Sequence, residues 1–201
     1  MRIATFNLLH GRSLRDGLVD LTRPQAACAQ IGADVLGLQE VDRDQERSDG
    51  ADMAAAVAGA MDAAHWRFEP ALIGTPGASW RPAAADDYVL GVGQSGYGVA
   101  LVSRYPVTRW EAIRLPAARV RSPLVVPGTR RVVWLRDEPR VALCARVETP
   151  YGEITIATTH LSFVPGVNVR QLRTVVREMQ RLLPPPYLLA GDLNLIGAIP
   201  R

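Results

Sequence analysis

Short apolar runs alternate with polar segments along the first forty residues of the chain. Residues 2–8 form an apolar run that ends near Asn7, and residues 34–40 form a second run that ends at Glu40. Between the two runs, residues 25–31 have a helix-forming composition. This pattern predicts a strand, a helix and a second buried strand, the order that commonly joins two parallel strands.

The remainder of the chain is predominantly strand-like. After a charged loop the pattern predicts an Ala-rich helix that ends near Ala64, and the Gly- and Pro-rich residues 74–96 are predicted to form a long surface loop. Helical spacing of apolar side chains predicts a helix over residues 167–183. Further strands are predicted over residues 66–71, 98–103, 107–115, 131–135, 140–148, 153–161 and 187–190. No linker or internal repeat divides the chain, so we expect a single domain.

The composition is that of a folded protein: 201 residues, of which 48% are hydrophobic and 21% charged. No apolar run approaches the roughly 18 residues that a membrane span needs. The N-terminal residues have the pattern of a strand, not that of a signal peptide. We therefore expect a cytoplasmic protein without a transmembrane segment.

The basic residues are unusual because all 23 of them are Arg, for which codon bias is a sufficient explanation. Without Lys, the chain cannot carry out Schiff-base or lysine-base chemistry. The net charge of +3 is compatible with a nucleic-acid or phospholipid partner but does not require one. Cys28 and Cys144 lie in apolar surroundings far apart in the sequence, which indicates two buried thiols and no zinc site.

Polar side chains lie at the ends of several predicted strands. Asn7, Glu40 and His160 each end one strand, and Asp192 and Asn194 follow the last. Taken singly, each has an ordinary structural explanation, such as a turn, an ion pair or a buried histidine. Together they supply oxygen ligands of the kind that Mg²⁺ or Mn²⁺ prefers, in positions where layered α/β proteins form crevices.

Three other patterns resemble known functional motifs but lack a residue or a neighbouring element that the motif needs. The glycines of residues 91–96 fit a dinucleotide-binding pattern, but they precede a strand and no helix follows. Residues 42–53 resemble a calcium loop, but they have Arg47 where Gly is needed and Met53 where Glu is needed. His160 and Ser162 lack the nucleophile elbow of a serine hydrolase.

The order of the strand-end motifs resembles that of the endonuclease/exonuclease/phosphatase superfamily, which includes DNase I-like nucleases, neutral sphingomyelinases and inositol-phosphate phosphatases. The similarity covers essentially the whole chain. Within the superfamily, the sequence is similar to the small bacterial metal-dependent hydrolases at Asp16, Gly17, Asp20 and Leu21. The motifs are IATFN at 3–7, ADVLGLQEVDR at 33–43, GYGVALVSRYP at 96–106, THL at 159–161 and LAGDLN at 189–194. The resemblance implies an α+β fold, a four-layer α/β/β/α sandwich of two mixed sheets.

The resemblance also implies roles in Mg²⁺-dependent (or Mn²⁺-dependent) phosphoester hydrolysis. Glu40 would be the principal metal ligand, and Asn7 would help to hold metal-bound water or phosphate. Asp192 would orient or deprotonate the attacking water, Asn194 would bind the phosphoryl oxygens and His160 would contact the scissile phosphate. The substrate would be a nucleic acid, a phospholipid headgroup or a small phosphoester.

Two departures from the family pattern modify this expectation. Leu9 stands where abasic-site enzymes carry an acid, which argues against a DNA-repair role. The family also has a late Asp-His pair, and no His follows Asn194. We therefore expect that residues 1–201 are a domain without its last strands, with weak or no turnover. The alternative is a degenerate, non-catalytic relative that binds a phosphorylated partner.

Overall fold

The computed structural model describes residues 1–89, 94–118, 121–125 and 132–195 of the chain. Within these residues the chain forms eleven strands and three α-helices. The strands are β1 (Ile3–Asn7), β2 (Val35–Arg43), β3 (His65–Gly74), β4 (Trp80–Pro82), β5 (Gly96–Ser103), β6 (Val107–Leu115), β7 (Arg121–Val125), β8 (Val132–Arg136), β9 (Arg140–Thr149), β10 (Gly152–His160) and β11 (Tyr187–Asp192). The helices are α1 (Thr22–Ile31), α2 (Met53–Ala60) and α3 (Val167–Leu182).

The strands form two mixed sheets and one separate hairpin. The first sheet has the order β1-β2-β5-β3-β4, and the second has the order β11-β10-β9-β6. In each sheet the edge pair, β1 with β2 or β10 with β11, is parallel, and the other pairs are antiparallel. A helix connects each parallel pair, which confirms the predicted strand-helix-strand opening. Strands β7 and β8 form the hairpin.

Three apolar cores separate four layers. One core lies between the first sheet and helices α1 and α2, the second between the two sheets, and the third between the second sheet and α3. Large buried side chains of the three cores are, in turn, Leu36, Leu38 and Phe68; Leu101, Leu143 and Ile156; and Leu115, Leu161 and Met179. This arrangement confirms the α+β sandwich that the motifs implied.

A polar bridge crosses the space between the sheets. The side-chain nitrogen of Gln39 in β2 donates to the hydroxyl of Thr158 in β10 at 2.8 Å and to that of Thr5 at 2.9 Å. Gly37 lies beside this bridge, where an added Cβ would be 2.6 Å from the Thr158 hydroxyl oxygen. The sheets therefore approach closely near their polar ends, where apolar packing gives way to hydrogen bonds.

Local predictions were wrong at several places: β7 was not predicted, and β2 continues past its predicted end at Glu40 to Arg43. Residues 74–96 do not form only a loop, because β4 pairs with the end of β3 and residues 85–88 form a 3₁₀ turn; residues 90–93 lie outside the described part. Helix α2 ends at Ala60, not near Ala64, because Asp62 has a left-handed φ of 51°. The strand predicted over 131–135 is Val132–Arg136, and Arg131 is outside the described residues.

Candidate active site

Four of the five predicted site residues meet at one edge of the sandwich. Asn7 and Glu40 lie near the carboxyl ends of the parallel strands β1 and β2, and His160 and Asp192 end the parallel strands β10 and β11. Because parallel strands end at the same edge, both pairs project toward the seam where the two sheets face each other. The fifth residue, Asn194, follows two residues after β11.

The amide nitrogen of Asn7 lies between two carboxylates. It donates to Glu40 Oε1 at 2.9 Å and to Asp192 Oδ2 at 3.3 Å. The amide oxygen of Asn7 accepts from the backbone N–H of Leu9 at 3.0 Å. Asn7 therefore connects the two sheets at the site and holds two negative charges close to each other.

Glu40 occupies an irregular position in its strand. Its φ is 52°, and the register between β2 and β5 shifts between Leu38 and Val41. Such a bulge redirects a side chain out of the regular alternation of a strand. Here it presents the carboxylate to Asn7 and places it 3.8 Å from Nδ1 of His10.

The charge of Glu40 is stabilised by its neighbours. Burial alone would raise the pKa of Glu40, but polar contacts with His10 and Asn7 and the nearby imidazoles of His160 and His10 outweigh that effect. The pKa of Glu40 is therefore below its ordinary value, and the carboxylate is ionised at neutral pH.

His160 is neutral at the same pH. Burial and the positive charge of Arg140 lower the pKa of His160 to about 4, against the opposing effects of Asp192 and Glu40. Its Nε2 lies 3.7 Å from Asp192 Oδ2. A neutral imidazole can donate or accept a hydrogen bond, so it can contact either a phosphoryl oxygen or a water molecule.

A tight turn after β11 fixes Asp192 and Asn194. Gly191 has a φ of 132°, and an added Cβ there would lie 2.0 Å from the backbone oxygen of Thr159. Asn194 has a left-handed φ of 48°, donates through its side chain to the Leu161 oxygen at 2.9 Å, and donates its backbone N–H to Asp192 Oδ1 at 3.1 Å. One amide hydrogen of Asn194 is thus used within the protein, and no partner for the second is found among the described residues.

The donor set fits a hard divalent cation. Glu40 and Asp192 provide carboxylate oxygens that converge on one amide, and Mg²⁺ characteristically takes one or two carboxylates and completes its shell with water and substrate phosphate. Across the described ranges, no cluster of three or more His, Cys, Asp or Glu side chains is arranged around one metal position. The residues therefore fit a solvated Mg²⁺ or Mn²⁺ site better than a closed zinc site.

Three residues of this region were not singled out by the sequence. His10 faces Glu40, as described above, and Asn168 on α3 donates to the backbone oxygen of Asn194 at 2.7 Å. Arg140, at the start of β9, is only 8% exposed and lines a narrow space together with His160. The sequence offered one indication for His10 and Asn168, namely that Asn and His are rare in this chain. All three Asn and two of the three His lie in or beside the site.

The rejected patterns have structural explanations. Asp42 is buried and accepts two hydrogen bonds from the guanidinium of Arg47, at 2.7 and 2.8 Å, so it is not arranged as a calcium ligand.

The two cysteines, Cys28 and Cys144, are unpaired, and burial raises the pKa of each thiol to about 12. Of the dinucleotide-like pattern, residues 91–93 lie outside the described residues. Among the described helices, none is long and apolar enough to cross a membrane.

Comparisons with known proteins place this geometry in a family. The sequence matches the model of the Endonuclease/Exonuclease/phosphatase family over residues 4–198. The structure is similar to an endonuclease/exonuclease/phosphatase from Beutenbergia cavernae DSM 12333, with a TM-score of 0.64 and 25% identity over 97% of this chain. The chain spans 47% of the length of that protein.

Two further solved structures share the fold. Sphingomyelinase C from Streptomyces griseocarneus has a TM-score of 0.56 and 18% identity, and the match covers 97% of this chain and 64% of that one. Humanized D. rerio TDP2 has a TM-score of 0.55 and 19% identity, with coverage of 98% and 64%. No curated protein sequence matches the chain significantly. Because the family match extends over nearly the whole sequence, the protein belongs to the endonuclease/exonuclease/phosphatase family.

Proposed function

We propose that this protein hydrolyses a phosphoester bond with the help of a divalent metal ion. The observation that carries the proposal is the meeting of Glu40, Asp192, Asn7 and His160 where the two sheets face each other. The family membership supports hydrolase chemistry, since its members are phosphoesterases and nucleases that generally depend on divalent metals.

Glu40 would hold Mg²⁺ or Mn²⁺, with Asn7 positioning the Glu40 carboxylate. The lowered pKa of Glu40 keeps this ligand ionised. When bound, the cation would supply charge neutralisation for the phosphate and lower the pKa of a coordinated water. Asn7 itself has its amide nitrogen toward both carboxylates, so its contribution is to keep Glu40 and Asp192 in place.

The other residues have complementary roles. Asp192 orients the attacking water and accepts its proton, because its carboxylate is held by Asn7 and by the backbone of Asn194. The second amide hydrogen of Asn194 and the imidazole of His160 donate to phosphoryl oxygens as negative charge develops. Arg140 adds a buried positive charge next to His160, on the same side of the site.

The chemistry of the relatives suggests the range of substrates. The solved structures include a sphingomyelinase, a TDP2 bound to a single-stranded DNA product, and ANGEL2, described as a 2′,3′-cyclic phosphatase. We accordingly propose a nucleic acid, a phospholipid headgroup or a small phosphoester as the substrate of this chain. A cytoplasmic location remains a prediction.

The test uses a small diester, bis-p-nitrophenyl phosphate, with the 201-residue chain at high concentration in Mg²⁺ or Mn²⁺. We expect slow hydrolysis above the buffer rate, consistent with weak turnover of residues 1–201, its loss in EDTA, and a fall to the buffer rate in Asp192→Asn, since general-base catalysis contributes about 10²–10⁴-fold. Asp62→Asn, which changes an exposed acid after α2, is the matched control. Binding of inorganic phosphate without any hydrolysis would contradict the proposal and identify a non-catalytic phosphate-binding protein.

A further inference from the structure

A groove of about 680 Å³ lies beside the candidate active site. Its walls come from the β3–β4 hairpin, the end of β6 and the segment that joins β8 to β9. Four guanidinium groups and one indole line it, together with small and proline residues: Arg81, Arg114, Arg136, Arg140 and Trp80. A cavity of this size accommodates a group as large as a nucleotide.

The four arginines differ in how fully their charges are compensated. Arg81 forms a two-point ion pair with Asp87, and Arg114 lies 2.7 Å from Glu69 Oε1. In contrast, Arg136 contacts the ring of Trp80 at 5.0 Å, and no acid of the described residues pairs with it. Within the described ranges, Arg136 therefore brings a cation without an acidic partner to an aromatic wall of the groove.

Arg140 is the second incompletely paired cation. Its side chain is more than nine-tenths buried, yet among residues 1–89, 94–118, 121–125 and 132–195 its Nε has no hydrogen-bond partner, and the acid that pairs with it, Asp137, is 3.9 Å away. A buried guanidinium without full pairing is costly in a folded protein unless a ligand completes its hydrogen bonds. Such a group in a cavity wall therefore indicates an anionic ligand.

Arg140 also connects the groove to the active site. Pro139 and Arg140 line the groove on one side and, on the other, the narrow space shared with Tyr97 and His160. The groove and the space beside His160 therefore share a wall.

We propose that the groove binds the single strand of a nucleic acid that flanks the scissile phosphate, which rests on the proposed phosphoesterase function. Arg140 would contact the scissile phosphate and Arg136 a neighbouring one, while a base packs against the indole of Trp80. Guanidinium groups recognise phosphate oxygens through paired hydrogen bonds, and aromatic rings stack with bases irrespective of sequence. Four of the groove's side chains carry a positive charge, which favours the repeated phosphates of a nucleic-acid strand over the acyl chain of a phospholipid.

The test measures binding of a fluorescein-labelled oligothymidylate by anisotropy in EDTA, so that no hydrolysis occurs. We expect Arg136→Gln and Trp80→Ala each to weaken binding about tenfold, and Trp80→Phe to restore most of the affinity. Loss of one phosphate contact should also reduce the slope of log K against log[salt] by about 0.7. Arg177→Gln, an equal loss of charge at an exposed position on α3, is the control and should bind as the wild type does.

The outcomes separate this proposal from the proposed function. Oligothymidylate binding that depends on Arg136, in a protein that does not hydrolyse the small diester, would retain the groove and contradict the phosphoesterase. Diester hydrolysis together with equal oligothymidylate binding by Arg136→Gln and Arg177→Gln would overturn the groove alone. Arg136-dependent binding of phosphatidylglycerol vesicles in place of the oligonucleotide would overturn it as well and identify a lipid surface as the ligand.

Discussion

The side chain of Asn168 in helix α3 donates a hydrogen bond of 2.7 Å to the backbone oxygen of Asn194, in the turn that follows β11. The outer helix thereby supports the turn that carries two predicted catalytic residues, Asp192 and Asn194. Asn168 is 4% exposed, and its own side-chain oxygen accepts from the backbone of Gly166 and Val169. A single buried amide thus joins the start of α3 to the candidate site.

Replacing Asn168 should separate its structural role from its positioning role. Asn168→Asp keeps the acceptor for Gly166 and Val169 but loses the donor to Asn194, whereas Asn168→Ala loses both. We expect Asn168→Ala to lower the free energy of unfolding by about 1–3 kcal/mol. Both variants should lower kcat for the small diester, with Asn168→Asp showing the smaller loss of stability. Denaturant unfolding beside steady-state kinetics checks this, and unchanged kcat in both variants would contradict a positioning role.

The sequence was sufficient for most of the strands that hold the predicted site residues, because each of them combines an apolar run with polar residues near its end. Asn7 and His160 end their strands as predicted, whereas β2 continues past its predicted end at Glu40 to Arg43; the structure nevertheless brings all three close to Asp192. Arg140 could not be found in this way, because burial of its guanidinium depends on strands that are distant in sequence. The hairpin formed by β4 was missed for a related reason: its three residues have no apolar alternation and pair only because β3 provides a partner edge.

The end of β11, just before Asp192, should depend strictly on glycine. Gly191→Ala would place a Cβ 2.0 Å from the Thr159 oxygen at a φ of 132°, so we expect a loss of about 3 kcal/mol or more in the free energy of unfolding. Gly152→Ala is the matched control, because its φ is 104° but no atom lies within 4 Å of the added Cβ. It should cost about 1–2 kcal/mol. Equal stability of the two variants in urea would show that the close approach to Thr159 is unimportant.

The polar bridge between the sheets should be cooperative. Gln39→Leu leaves the hydroxyls of Thr5 and Thr158 without their buried partner, and we expect it to cost about 1–3 kcal/mol of stability. Adding Thr158→Val removes one of the hydroxyls that Gln39→Leu leaves without a partner. The double variant should therefore lose less free energy of unfolding than the sum of the losses of the two single variants. Urea unfolding of all four proteins measures this coupling, and strict additivity would mean that the bridge contributes no interaction of its own.

The two thiols should be unreactive in the folded protein. Burial raises the pKa of Cys28 and Cys144 to about 12, from an ordinary value of 9.0, so neither is a thiolate at pH 8. A disulfide reagent added at that pH should label neither thiol until denaturant is present, and then both. The same shifts predict that stability decreases as the pH rises above about 9, because only the unfolded chain then loses the protons. Rapid labelling of the native protein would contradict the burial of these residues.

The central claim is that Glu40 provides the metal site of a phosphoesterase, and the Mn²⁺ dependence of bis-p-nitrophenyl phosphate hydrolysis by Glu40→Gln tests it most directly. Loss of this carboxylate should lower the rate at saturating substrate by ~100-fold or more and raise the half-saturating Mn²⁺ concentration. Mutation of a residue that only hydrogen-bonds to a metal ligand already lowers metal affinity or activity by about 10–100-fold, so loss of the ligand itself should have at least that effect. Glu46→Gln, at an exposed position a few residues further along the chain, should retain the wild-type rate and Mn²⁺ dependence. A rate and Mn²⁺ dependence in Glu40→Gln equal to those of the wild type would contradict the claim.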